Sequence, residues 1–153
     1  MKKIIALIFA VFLPVVASAQ NWSIETVDIF YTNSNQDTVG FGATATSTAK
    51  QLLYADSVVV SIALTVSVEF GATPDGDAKF YVLTSADGTT YDSQSTAYAA
   101  FAIAETASTT YVKTIKINPG VKYIKIVAEN NDSADDIYVR GWLTLVWSKD
   151  NTG

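Results

Sequence analysis

From Asp56 to Phe70 the chain reads DSVVVSIALTVSVEF, and apolar side chains return at every second position. Val58, Val60, Ile62, Leu64, Val66, Val68 and Phe70 form one set; Val59, Ser61, Ala63, Thr65, Ser67 and Glu69 form the other. A helix would scatter these positions around its circumference, whereas a strand puts every second residue on one face. The pattern therefore predicts a long strand with the first set toward the core. Ile137 to Trp147 repeats it: Ile137, Val139, Leu143, Leu145 and Trp147 point one way, and Gly141 leaves space among them. The opposite set holds Tyr138, Arg140 and Trp142, an aromatic, a cation and an aromatic on the face that should meet water.

Turn chemistry divides the rest. In TPDGD, residues 73–77, Pro74 presets φ and Gly76 accepts a positive φ. Strands are predicted at Lys79 to Thr84, Thr110 to Ile117 and Val121 to Glu129, separated by turns at 85–91 and at Asn118-Pro119-Gly120. Residues 130–136, NNDSADD, read as an acidic loop. Trp22 to Tyr31 alternates, and Thr38 to Thr46 reads as a short strand broken by Gly40 and Gly42. Ser95 to Glu105 stays open: it is Ala-rich like a helix, yet Tyr98, Phe101 and Ile103 between Ser/Thr clusters fit a strand equally. About eight strands with these turn spacings predict an all-β fold, a single antiparallel β-sandwich of jelly-roll type.

The first residues differ in kind. Lys2 and Lys3 precede an apolar run from Ile4 to Val16, and Ala17-Ser18-Ala19 supplies the small residues of a signal-peptidase site. The run is shorter than the ~20 residues a membrane span needs. Residues 1–19 are therefore expected to be a cleaved signal peptide, and residues 20–153 the sandwich domain, with no membrane span after cleavage. The expected location is secreted, extracellular or at the cell surface, with the periplasm an alternative.

Without Lys2 and Lys3, eight basic residues face fifteen acidic ones, a net charge of −7. Nucleic acid and anionic lipid want clustered Lys and Arg, so neither is an expected partner. The chain has no Cys and no His. That excludes disulfides, zinc sites built on those residues, and triads or general bases that need them.

Carboxylates are what remain for catalysis. Glycoside hydrolysis needs two of them facing across a cleft. Here Asp75, Asp77, Asp87, Asp92, Asp132, Asp135 and Asp136 all sit in turns, where Asp ordinarily caps its own backbone. Glu69 and Glu105 stand near strand ends with no spacing to tie them together, and no motif supports a Ser-Lys dyad at Lys50 or Lys79. The protein is expected not to be an enzyme and to carry no cofactor. Asp132, Asp135 and Asp136 offer oxygens to calcium, but the loop lacks the glycine and the alternating-Asp spacing of an EF-hand. A solvated hairpin tip is the preferred reading.

SADGTTY at 85–91 resembles the Asp-box hairpin of sialidase-like folds, with one residue fewer between Asp and Gly, and a hairpin of discoidin-type domains. In both it mainly shapes a turn. More broadly, the order of a long alternating strand, FYVLTSADGTTYD, INPGVKYIKIVAENND and a final alternating strand resembles small β-sandwich proteins encoded among the structural genes of tailed phages and prophages. The resemblance spans roughly Asp56 to Trp147 and implies a non-catalytic virion or surface component; the export leader is a departure from it.

Three readings compete for Tyr138, Arg140 and Trp142: filler between packed layers, a protein–protein patch, or a sugar platform. Trp, Tyr and Arg are enriched at binding hot spots, which favours the patch over the platform. Trp22 would add a second outward indole if it lies on the same face. The segment NWSIETVDIFY could also complete a neighbour's sheet, although a first strand of its own sandwich avoids the entropy of association. The expected function is a secreted structural subunit or decorating component of a surface assembly, joined by self-association or to another surface protein. The alternative is a carbohydrate-binding jelly-roll module with a glycan as ligand.

Overall fold

A computed structural model of the chain describes residues 21–30, 37–54, 57–117 and 120–149. The expected leader and cleavage site fall outside these residues. Among those described, no helix is long and apolar enough to cross a membrane.

Among the described residues eleven strand segments form two antiparallel sheets: β1 (Asn21–Phe30), β2 (Asp37–Val39), β3 (Thr44–Thr46), β4 (Lys50–Gln51), β5 (Leu53–Tyr54), β6 (Ser57–Glu69), β7 (Ala78–Ser85), β8 (Ala99–Ile103), β9 (Thr110–Ile117), β10 (Tyr123–Asn130) and β11 (Ile137–Lys149). The first sheet runs β1–β11–β6–β9, with β2 beside β1 on β11 and β5 beside β9 on β6. The second runs β3–β10–β7–β8, with β4 sharing the β3 edge. Each sheet is thus four positions wide, which accounts for the eight strands expected.

The topology follows from nested pairing. The chain folds back at residues 86–98, so that β7 pairs with β8, β6 with β9, β3 with β10 and β1 with β11. The double ladder then rolls over, and two further pairings, β6 with β11 and β7 with β10, close it. Two four-stranded layers made this way are a jelly roll.

Every inward face is apolar. Ile62, Leu64, Val66 and Val68 of β6 and Ile137, Val139, Leu143 and Leu145 of β11 meet Ala78, Phe80 and Val82 of β7 and Ile124, Ile126 and Ala128 of β10, all fully buried. The Phe80 and Phe101 rings stack at 5.3 Å and carry this core to the β8 edge. Transfer of such side chains from water stabilises the fold by ~1.5–3 kcal/mol each, before the entropy of ordering them is set against it.

Two local expectations need correction, and one open reading is settled. The alternation of β6 breaks at Val60: a bulge opposite Val146 and Trp147 inserts one residue, so Val59 is buried and Val60 is 36% exposed. Residues 38–46 are not one interrupted strand. β2 belongs to the first sheet and β3 to the second, and the turn around Gly40 and Gly42 carries the chain between layers. The Ala-rich segment resolves into a single 3₁₀ turn, Gln94–Thr96, followed by strand β8.

Candidate functional site

β11 is central in the first sheet, between β1 and β2 on one side and β6 on the other. Its alternation fixes two opposite faces, and Tyr138, Arg140 and Trp142 lie on the outer one. Tyr138 and Arg140 are exposed and Trp142 is half-buried. Neighbours along the row are about 7 Å apart at the strand repeat. Register supplies the flanks: Thr38 and Glu69 beside Tyr138, Ser67 beside Arg140, and Asp28 and Thr65 beside Trp142. Thr65 is tied in turn to Thr114 of β9 through their hydroxyls at 2.9 Å.

No second layer covers this face among the described residues, and the cations seated over rings among them are Lys113, Lys122 and Lys125, over Phe101, Tyr123 and Tyr91, away from this row. Arg140 therefore does not fill space between two layers. Trp22 shares the outer face and is 56% exposed, but its partner on β11 is Ser148. Six residues separate Ser148 from Trp142, about 20 Å along a strand. Trp22 thus belongs to a different part of the same face, beside Ile24 and Val146.

A cleft of about 300 Å³ opens between β1 and β11, lined by Thr26, Asp28, Phe30, Arg140, Gly141 and Trp142. The register of β1 on β11 shifts here between Asp28 and Phe30, and the buried Phe30 is part of the lining. A Cβ on Gly141 would stand 2.9 Å from the Phe30 ring, so the space left by Gly141 is the space Phe30 occupies. Thr26 and Asp28 were not singled out from sequence. The alternation of β1 puts both outward, but only the register with β11 brings them to Trp142.

The acidic end is a lock and not a solvated tip. Asp132 is 1% exposed and accepts from the backbone N–H groups of Ala134 and Asp135, each at 2.8 Å, and of Asp75 at 2.9 Å. Burial alone would raise its carboxyl, but those three N–H donors, joined by a hydrogen bond with the Asp75 side chain, outweigh burial and lower it to about 2. Asp135 accepts from the Thr73 amide and hydroxyl, Asp136 from the Phe41 amide, and Asp75 from the Ser133 amide and hydroxyl. Buried Asn130 donates to the carbonyls of Val39 and Asp135. These acids join the 40–43, 70–77 and 131–136 segments to one another; only part of the set caps its own turn. Among the described residues no group of three acidic side chains is arranged to hold a metal ion.

SADGTTY is a turn. Asp87 accepts from the Thr89 and Thr90 amides at 2.8 Å, which draws its carboxyl far below the usual range, and Gly88 takes φ +80°. Beside it lies a cleft of about 540 Å³ lined by residues that include Leu53, Thr84, Tyr91, Asp92, Val121 and Lys122. The Tyr91 hydroxyl is buried without a hydrogen-bond partner, and burial raises its pKa. Lys125 sits 4.3 Å above that ring. Sequence offers no signal for this cleft, because Leu53, Tyr91 and Lys122 meet only when the sheets close.

No family model matches the chain, and no curated protein matches it. Among solved structures, one described as "Family 16 Carbohydrate Binding Module-2" is similar at a TM-score of 0.43 and 13% identity, over 74% of this chain and 80% of that one. "Structure of infectious bursal disease virus Gx strain" gives 0.48 and 19%, over 86% of this chain and 33% of that one. "Bacillus endospore appendages form a novel family of disulfide-linked pili" gives 0.40 and 12%, over 85% and 89%. This is a loose likeness of β-sandwiches, and no role passes through it to this chain.

Proposed function

We propose that the protein is a non-catalytic structural subunit of an extracellular or cell-surface assembly, exported by its leader and joined through the outer face and the edges of the first sheet. The observation that carries this is the uncovered face itself. It displays Ile24 at 73% exposure, Val112 at 64% and Trp22 at 56%, with Val60, Tyr138 and Arg140 between. Trp, Tyr and Arg on a rigid sheet are the residues that dominate association energies. The face is also electrically balanced: register places Asp28 and Glu69 outward against Arg140 and Lys116. In a chain of net charge −5, a neutral apolar face is where two copies approach without repulsion. The carboxylates of the loop end accept hydrogen bonds from backbone amides and hydroxyls, which supports a structural role for them. The test is the solution mass of residues 20–153 by size exclusion with light scattering over a concentration series. Mass should rise with concentration; a constant monomer mass overturns the proposal.

A second reading rests on the 300 Å³ cleft. Trp142 offers a ring to stack on a sugar, and Asp28, Arg140 and Thr26 offer polar contacts around it. Under this reading the protein is a monomer whose tryptophan emission shifts on titration with a polysaccharide, and Trp142→Ala abolishes the shift.

A further inference from the structure

The four outer strands of the sandwich are not equally guarded. An edge strand presents unpaired N–H and C=O groups, and proteins blunt it by shortening or breaking it or by placing Lys or Pro there. β8 is five residues long, and the opposite edge of its sheet is broken into β3 and β4, of three and two residues. β9 carries Lys113 and Lys116, and Lys113 folds across the flank to the Phe101 ring at 5.0 Å.

β1 is the exception. It pairs with β11 without interruption from Asn21 to Asp28, and contains neither Lys nor Pro. Its acids do not guard the middle of the strand. Glu25 is matched by Lys50 at 3.0 Å and by the Trp147 indole N–H at 3.0 Å. Asp28 stands at the far end, where the register shifts. The outward residues before Asp28 are Trp22, Ile24 and Thr26, all exposed.

We infer that β1 is the joining edge: a second copy of this chain lays its own β1 antiparallel against it about a two-fold axis. The first sheets of the two copies then run on as one. The occupant is a second copy because this edge is complementary to itself. A two-fold pairing sets residue i opposite residue j at a constant sum, and an even sum keeps like faces together. With the axis at Ser23, Trp22 meets the other copy's Ile24 and Glu25 meets Asn21. With the axis at Ile24, Ile24 meets itself and Glu25 meets Ser23. Neither register puts two carboxylates opposite each other, and both extend the apolar stripe of Trp22 and Ile24 across the junction. The inference rests on the self-association proposed above and names its geometry.

The chain has no cysteine, which makes the test direct. Ser23→Cys, Ile24→Cys and Thr26→Cys are introduced singly and oxidised with copper–phenanthroline, with Val112→Cys on β9 as the comparison. Directly opposed antiparallel strand residues have Cα atoms about 4.5–5.5 Å apart, within the Cα range of a disulfide. At least one β1 variant should give a covalent dimer on a non-reducing gel, and Val112→Cys should stay monomeric. Ile24→Lys, at a site 73% exposed, should fold normally and associate at least tenfold more weakly by light scattering. If the unmodified chain stays monomeric, the assembly reading itself falls. If it associates while no β1 cysteine cross-links and Ile24→Lys associates unchanged, assembly stands and the β1 edge is overturned. Cross-linking of Val112→Cys, to itself or to Ser23→Cys, overturns it equally by moving the joint to β9.

Discussion

Replacing Asp132 with Asn tests whether the acidic end is a structural lock. The carboxylate is buried, its Oδ1 accepts from the Ala134 and Asp135 amides at 2.8 Å, and its Oδ2 accepts from the Asp75 amide at 2.9 Å. Asn keeps the shape and one oxygen, so the two bonds on Oδ1 survive as neutral ones. The third is lost, because the new NH₂ meets an N–H. A hydrogen bond to a charged group contributes ~1.5–3 kcal/mol and a neutral one about half that, so at the lower end of that range Asp132→Asn should cost about 3 kcal/mol and Asp132→Ala about 4.5. The pH dependence gives a second readout. The folded carboxyl sits at about 2, below its ordinary 3.8. A depressed folded pKa contributes stability that is complete above about pH 4 and fades as pH falls toward 2. Urea unfolding followed by tryptophan fluorescence should show a gap between the parent chain and Asp132→Asn that is full at pH 7 and narrows between pH 4 and 2. Millimolar calcium should leave both midpoints unchanged. A gap below about 0.5 kcal/mol at pH 7, far under what even one charged bond contributes, would refute the reasoning. So would a gap constant down to pH 2.5, or a calcium-dependent rise confined to the parent chain.

Gly141→Val should cost about 2–3 kcal/mol in chemical denaturation, because its Cβ would press on the Phe30 ring at 2.9 Å and on Ile29 at 3.2 Å; a change under 0.5 kcal/mol contradicts the packing. Leu143→Ala, at a fully buried site, should cost about 3 kcal/mol, and Val112→Ala, at one 64% exposed, less than about 0.5, in the same assay. The Tyr81 phenol donates to Glu129 at 2.6 Å, and that bond with burial raises it to about 12. A raised folded pKa gives stability that is present below about pH 10 and lost as pH climbs through 12, so Tyr81→Phe should flatten the alkaline limb. Absorbance titration at 295 nm should lose one late-ionising tyrosine in that variant; losing one that ionises near 10 instead contradicts the assignment.

How much of this was legible in the sequence depends on whether a pattern had one phase or two. β11 has one: polar or aromatic residues separate Ile137, Val139, Leu143 and Leu145, so a slip would bury Arg140, and the faces were readable. β6 opens on Val58, Val59 and Val60, three apolar residues in a row. Either phase buries a valine there, so nothing local marks the bulge; the twist of the pairing with Val146 and Trp147 decides it. Gly40 and Gly42 announced a break but not that the chain changes layers, because both partners of that choice, β10 and β11, lie some 80 residues or more onward. Local propensity was equally mute at Ala99–Ile103, where pairing with β7 and the Phe80–Phe101 stack settle the matter.

The interaction face shows the same division more sharply. Tyr138, Arg140 and Trp142 were visible because one strand holds all three, and alternation alone sets their common face. Asp28, Ile24 and Val112 were not, because they join that face only through ladders to β11 and β6. The acidic loops misled for the converse reason: their composition reads as solvated, yet Asp75 and Ser133 meet across 58 residues of chain, and such closure consumes carboxylates that sequence leaves free. Spending those carboxylates on amides at one end leaves the first sheet's outer face with Asp28 and Glu69 against Arg140 and Lys116. A net-acidic chain has thereby kept uncompensated negative charge off the surface where its apolar side chains stand exposed. Under the proposed assembly, repulsion would act on copies meeting end-on, while the balanced sheet and its β1 edge would be the approach of least electrostatic cost.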